Sequence, residues 1–192
     1  MSMHPAESRG YRELYLTGRQ LIARWRRLGE ALPASSAEPV LKAADSVERL
    51  LEELDPLTAR HDLHGNVAAQ GGGARLGAAR GAIFDRFLER NQALRLALDD
   101  LEHVSTLLAY LATVSETRGD AELPEFCRSW ERRLRRQLAA VRKAAVALGE
   151  DPDAAISPLD PSPAGRAAHG AAYAVGSVGE WVDRQVAHRR KA

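Results

Sequence analysis

Apolar residues recur along this chain three or four positions apart, the spacing of one face of an α-helix, almost from end to end. Tyr11, Leu14, Gly18, Leu21, Trp25, Leu28 and Leu32 form a first seam, which Pro33 closes. A second helix opens in "SSAEPVLKAADSVERLLEEL", with Ser or Ala as its cap and a proline in its first turns. Val40, Ala44, Val47, Leu51 and Leu54 share one face of it, and Pro56 is expected to kink or stop it. The third helix is the longest, predicted from near Ala78 to about Arg118. Its stripe runs Phe84, Phe87, Asn91, Leu94, Leu98, Leu101, Ser105, Leu108, Ala112 and Ser115, widened by Ile83, Ala97, Val104 and Leu111. So wide a stripe suits a helix with two packing partners. "RGDAELPEF" makes a turn, and a fourth helix carries Phe126, Trp130, Leu134, Leu138, Val141, Ala145 and Leu148 before Gly149 stops it.

Residues 150–164 are proline-rich and acidic, and read as an extended linker that returns the chain along the bundle. A last helix is predicted over 165–190, with Val175, Val178, Val182 and Val186 on one side. Long helices joined by short turns must alternate in direction to bury their stripes. The predicted fold is therefore all-α, a single domain over 1–192: an antiparallel up-and-down four-helix bundle with an additional C-terminal fifth helix. Two details suggest self-association. Gly165, Gly170, Gly176 and Gly179 fall in the last helix, where each glycine costs about 0.5–1 kcal/mol relative to alanine, so close approach to another helix is expected. Asn91 falls on the third seam between Phe87 and Leu94, where a polar residue can fix register or partner number.

Composition narrows the picture further. Only 5% of residues are aromatic, which agrees with helices, and Lys+Arg 27 against Asp+Glu 26 leaves a net charge of +1. No global charge draws the protein to nucleic acid or membrane. The N-terminus has no apolar run of signal-peptide length, and no segment approaches the ~18–20 apolar residues of a membrane span, so a cytoplasmic protein without membrane insertion is expected. Cys127 is the sole cysteine, which excludes an internal disulfide; in "EFCRSW" it reads as a small buried hydrophobe.

Candidate chemistry is sparse. "HDLHGNVAAQGGGARLGAARG", 61–81, matches neither the phosphate-binding P-loop nor the dinucleotide fingerprint, so it reads as a hinge, with Arg75 and Arg80 the cations that an anion would meet there. His61 and His64, three residues apart, could offer imidazoles to one metal ion. Further ligands would have to come from His103 with Asp100, or from His169; the candidate metal set is His61, His64, His103 and Asp100, and no cofactor is named by it. Glu-x-x-His, the ligand pair of di-iron bundles, is absent. Acids such as Glu48, Glu52, Glu53, Asp85, Glu89, Asp99 and Glu102 interleave with arginines as on a solvated face. Basic clusters surround Trp25, fill "RRLRR" at 132–136 and end the chain, giving +3 over 121–150 and +3 from 165 onward.

Three functions are compatible with these residues. The first is a non-enzymatic helical-bundle protein that self-associates as a homodimer and binds a protein partner. The second is a metal- or small-molecule-binding enzyme or sensor with its site near His61, His64 and His103. The third is nucleic-acid or polyanion binding by the fourth and fifth helices, disfavoured because no helix-turn-helix or exposed aromatic row accompanies the arginines.

Overall fold

The computed structural model describes residues 3–65, 88–171 and 173, and among them the chain is all-α. Four long helices dominate: α1 (Pro5–Ala31), α2 (Ala34–Ala59), α3 (Arg90–Thr117) and α4 (Glu122–Ala147). A 3-10 turn at Leu148–Glu150 leads to the single-turn α5 (Pro152–Ala155), and residues 163–171 are again helical. The predicted seams are the buried ones: Tyr11, Leu14, Leu21, Trp25 and Leu28 on α1, and Val40, Ala44, Val47, Leu51 and Leu54 on α2, all enter one apolar core. Leu94, Leu101, Leu108, Trp130, Leu134 and Val141 complete it from α3 and α4. Glycines let α1 come close on both sides. A Cβ at Gly10 would lie 2.8 Å from Leu111 of α3, and one at Gly18 would lie 3.1 Å from Leu51 of α2.

Cross-links between helices fix their directions. Glu7 meets Ser115 and Arg24 meets Asp100, so α1 and α3 run antiparallel. Tyr15 with Thr58 and Arg26 with Glu48 make α1 and α2 antiparallel; Arg60 with Glu122 and Glu53 with the Trp130 indole do the same for α2 and α4. Arg128 reaches Glu116, which pairs α3 with α4. These pairings correct the expectation of strict up-and-down order along the chain. Because both α2 and α3 oppose α1, they run in the same sense, so the chain leaves α2 at one end of the helices and enters α3 at the other. At 1.5 Å per residue those ends are ~40 Å apart for a 26-residue helix, a distance no short turn covers.

Other boundaries also differ. α2 continues through Pro56 to Ala59 and starts behind Pro33 without a side-chain cap. α3 is described only from Arg90, where Glu89 caps it through a reciprocal capping box with Gln92; the predicted turns from Ala78, with Phe84 and Phe87, lie outside the described residues. The C-terminal end of α3 stops at Gly119, whose φ of +80° suits glycine best. Residues 150–164 do not return along the helices. They cross the start of α3 as a strap, with Arg90 N–H donating to the Ser157 carbonyl and Leu159 N–H to the Leu88 carbonyl, and they bury Ala155 and Leu159.

Asn91 explains part of that strap and is itself a correction. Its amide donates to Glu89 and, at 3.0 Å, to the Ala155 carbonyl, while its oxygen accepts from Arg95. Its polar groups are thus engaged within the chain, and Ala93, Leu94 and Ala97 take the buried positions instead. The close approach found at Gly165 is to this chain's own Asp160, whose carbonyl oxygen and side chain leave no room for a Cβ there. Gly176, Gly179 and most of the predicted final helix fall outside the described residues. Replacing Asn91 by Ala should cost about 0.5–1.5 kcal/mol, the usual net worth of such hydrogen bonds. Hydrogen exchange at Ala155–Leu159 should accelerate while sedimentation is unchanged; a change in oligomeric state would restore Asn91 as an assembly residue.

Candidate functional site

The most concentrated polar chemistry lies inside one end of the helix assembly. Glu7 continues the α1 seam one turn before Tyr11 and is completely buried. Its carboxylate accepts two hydrogen bonds from the Arg118 guanidinium, 2.9 and 3.1 Å, and a third from the Ser115 hydroxyl at 2.6 Å. Ser115 has one proton and gives it to Glu7, so the Tyr11 hydroxyl, 3.1 Å away, donates to Ser115. The Cys127 thiol in turn donates to Tyr11 at 3.5 Å. Four side chains from α1, α3 and α4 therefore form one chain of hydrogen bonds ending on a buried anion.

Arg118 extends the network outward to Asp120 at 2.8 Å. Asp120 also accepts from the Glu122 and Leu123 backbone N–H groups at the start of α4, satisfying donors that a helix N-terminus leaves open. Burial pushes the Asp120 carboxyl up, but the Leu123 and Glu122 amides and Arg118 outweigh it and hold the group below its ordinary range. The hydrogen bond from Arg118 to Glu7, ahead of the opposing cost of burial, raises the guanidinium further. Desolvation drives the Tyr11 phenol far above its ordinary value, and pushes Cys127 up to about 11 and Tyr15 up to about 12. Tyr15 forms a separate buried bond with Thr58 at 2.8 Å. None of these groups is poised as a nucleophile or base near neutral pH, because each is held in its neutral form or neutralised by a partner.

The sequence-predicted metal residues are not brought together. His61 lies by Asp120, 3.7 Å away, at the end where α2 finishes and α4 begins. His64 is exposed, and Gly65 beside it donates its N–H to Asp55. His103 pairs with Glu13 at 3.2 Å, and Asp100 with Arg24 at 3.1 Å; both lie on α3 at least 12 residues before Ser115, hence ~18 Å or more along the helix from the His61 end. Among the described residues no three His, Cys, Asp or Glu side chains are placed to hold a metal ion. His169 lies in the helical residues 163–171. The glycine-rich stretch with Arg75 and Arg80, and Asp85, fall outside the described residues. Of the acids, Glu48 pairs with Arg26, Glu53 with Trp130 and Arg133, and Glu89 caps α3.

Open grooves mark the surface among the described residues. One of about 510 Å³ lies beside the buried network, lined by His4, Ala6, Val114, Thr117 and Arg118 among others. A second, about 320 Å³, separates α1 from α2 over Tyr15 and Leu51, rimmed by Arg19, Glu48, Glu52 and Asp55. The third, about 560 Å³, runs along the C-terminal half of α4 over Leu138, Ala139, Val146 and Ala147 between Arg135, Arg142 and Lys143, with Glu150 at its end. Earlier cations of α4 are spent on partners: Arg128 on Glu116, Arg132 on Glu125, Arg133 on Glu53 and the Trp130 ring, Arg135 on Glu131. Among the described residues Arg136, Arg142 and Lys143 have no acidic partner. No helix among the described residues is long and apolar enough to cross a membrane. Comparison of the chain with models of known protein families, with curated proteins and with solved structures finds no match.

Sequence periodicity places Ser115 on the third seam, and Cys127 reads as a small buried hydrophobe, but neither signal points to Glu7 or Arg118. The available signal was the spacing: Glu7 stands four residues before Tyr11, and a charged residue on a seam needs a buried partner. Two serines of α3 test this account. Ser115→Ala should cost about 1–3 kcal/mol, because Glu7 and Tyr11 each lose a buried partner. Ser105, fully buried with no hydrogen-bond partner for its hydroxyl among the described residues, should accept Ala at no cost or with a gain. Thermal or urea unfolding of both variants checks the contrast, and equal losses would remove the network from the explanation.

The titration of the network gives a second test. The raised Tyr15 and Tyr11 stabilise the fold fully below pH ~10, the unfolded tyrosine value, and that stability is lost as pH rises through their folded values. Asp120, being lowered, contributes above its unfolded value and loses its contribution as pH falls through the folded one. Stability should therefore decline toward both extremes, with tyrosinate absorbance of Tyr11 and Tyr15 appearing together with unfolding. A thiol reagent should modify Cys127 only at the rate of unfolding; fast labelling of the native protein would show the thiol to be accessible.

Proposed function

We propose that the chain is a non-enzymatic antiparallel four-helix bundle that acts by binding other protein surfaces. The observation that carries this reading is the C-terminal half of α4, where Val146 is 71% exposed over a groove shared with Glu150 and stands beside Arg142 and Lys143, which pair with no acid among the described residues. Among the described residues it is the most exposed large apolar side chain. Exposed apolar surface with a polar rim is the usual mark of a docking surface. The buried hydrogen-bond chain is compatible with the same reading, since Glu7, Tyr11 and Cys127 are tied up holding helices, and Arg118, which also lines the groove beside them, is held by Glu7 and Asp120. Homodimerisation belongs to the proposal as well, through the small residues of the C-terminal helix, where Gly170 faces open space.

Elemental analysis and an absorption spectrum of untagged protein, with sedimentation velocity over a range of concentrations, test the proposal. The expected result is no stoichiometric metal or chromophore, a concentration-dependent dimer, and a His61→Ala/His64→Ala variant indistinguishable in assembly. Near-stoichiometric metal that this variant loses would overturn the reading in favour of a ligand-binding bundle. A strictly monomeric protein would remove the homodimer.

A further inference from the structure

The outer face of α4 is organised in rows. Ala139 and Val146, seven residues apart, form a central apolar row, and both are exposed. Arg135, which is paired with Glu131, and Arg142, unpaired among the described residues, form a second row with the same spacing on one side; Arg136 and Lys143 form a third on the other, all four are exposed, and Glu150 closes the end of the groove. At 100° per residue, a seven-residue step returns nearly to the same meridian, so each pair lies along the helix axis rather than around it. Leu138 and Ala147 widen the apolar floor at its edges. A narrow apolar row flanked on both sides by cations can seat the apolar face of an amphipathic helix, whose own flanking charges then select the pairing.

We infer that this face receives an acidic amphipathic helix from another protein, its apolar seam laid along Ala139 and Val146 and its carboxylates reaching the two cationic rows. This deepens the interaction reading above and rests on it. Charge decides the occupant. A second copy offering the same face would set arginine rows against arginine rows, which disfavours self-pairing here. The acid-rich helix of a second copy, α2, with six Asp and Glu against two Lys and Arg, lacks the apolar row: its exposed large hydrophobe is Leu41, and that side chain lies against Gly29 of α1. Nucleic acid would answer the cations but leave Val146 facing phosphate and water. A helix of about two heptads matches the length from Arg135 to Ala147, and because the cations are exposed its affinity falls as salt screens them.

The test uses the full chain and a labelled synthetic peptide of three heptads, with Leu at the seam positions and Glu at the flanking ones. A scrambled peptide of identical composition, anionic phosphatidylserine vesicles and single-stranded RNA serve as the competing probes. Fluorescence anisotropy at low salt should show the patterned peptide binding ~10-fold or more tightly than the scrambled one, since only the former presents a seam. Val146→Asp, and separately Arg142→Glu/Lys143→Glu, should each weaken it by ~10-fold or more, with melting temperatures unchanged because the positions are solvent-exposed. Equal binding of the scrambled peptide, no response to either variant, preference for vesicles or RNA over the peptide, or no binding at all would overturn the inference. Stoichiometric metal at the histidines would instead overturn the interaction reading, and leaves the peptide result to be read separately.

Discussion

A carboxylate with no access to water governs one end of this molecule. Burying Glu7 alone would cost several kcal/mol, and the structure accepts that cost by surrounding the anion with Arg118 and Ser115. Each partner is itself anchored: Arg118 by Asp120, Ser115 by Tyr11, and Tyr11 by Cys127. Asp120 in turn caps α4 and approaches His61 at the end of α2. All four long helices therefore meet at a single connected set of polar groups. Such a set adds little net stability over a well-packed apolar end. Its strength is selective, because any other register of α1 against α3 leaves a charge buried and unpaired.

The opposite end is held by different means. There the strap of residues 150–164 lies across the start of α3 through two backbone hydrogen bonds and the Asn91 amide, and it buries Ala155 and Leu159. Hydrogen bonds of that kind are individually modest, and loss of one does not strand a charge. The polar end thus fixes which helices are neighbours, and the strapped end closes the core over them. The glycine contacts at Gly10 and Gly18 draw α1 onto both α3 and α2 between the two ends.

The helices and their inner faces were legible in the sequence because a 3.6-residue period reports burial directly, and every seam residue assigned to α1 and α2 is buried. Chain direction was not legible. Periodicity says that a face is covered but not by which neighbour, so short-turn connectivity was assumed between α2 and α3 where the pairings Tyr15–Thr58 and Glu7–Ser115 demand a crossing. The partner of Asn91 was not legible for a related reason: at the first turn of a helix, a side chain on the seam line can reach past the core to the Ala155 carbonyl. Glu7 escaped notice because its partner is 111 residues away and nothing local marks it. His61 and His64 were adjacent in sequence and remote from His103 in space, so proximity in the chain overstated their joint chemistry.

Ion pairing along α4 changes halfway down the helix. Moving from the N-terminus of the helix toward its C-terminus, acids are at hand for Arg128, Arg132, Arg133 and Arg135, supplied by Glu116, Glu125, Glu53 and Glu131. Beyond that point α4 has no further acid before Glu150, and its outward residues are Arg136, Ala139, Arg142, Lys143 and Val146. A cation row that were merely a solvated face would not need an apolar row between its members; Glu, Gln or Ser would keep the helix more soluble at Val146 and cost nothing in packing. Valine also has lower helix propensity than Glu or Gln. Local stability and solubility thus both argue against valine at that position, which is the ground for our proposal that a partner covers the row and supplies carboxylates to Arg136, Arg142 and Lys143.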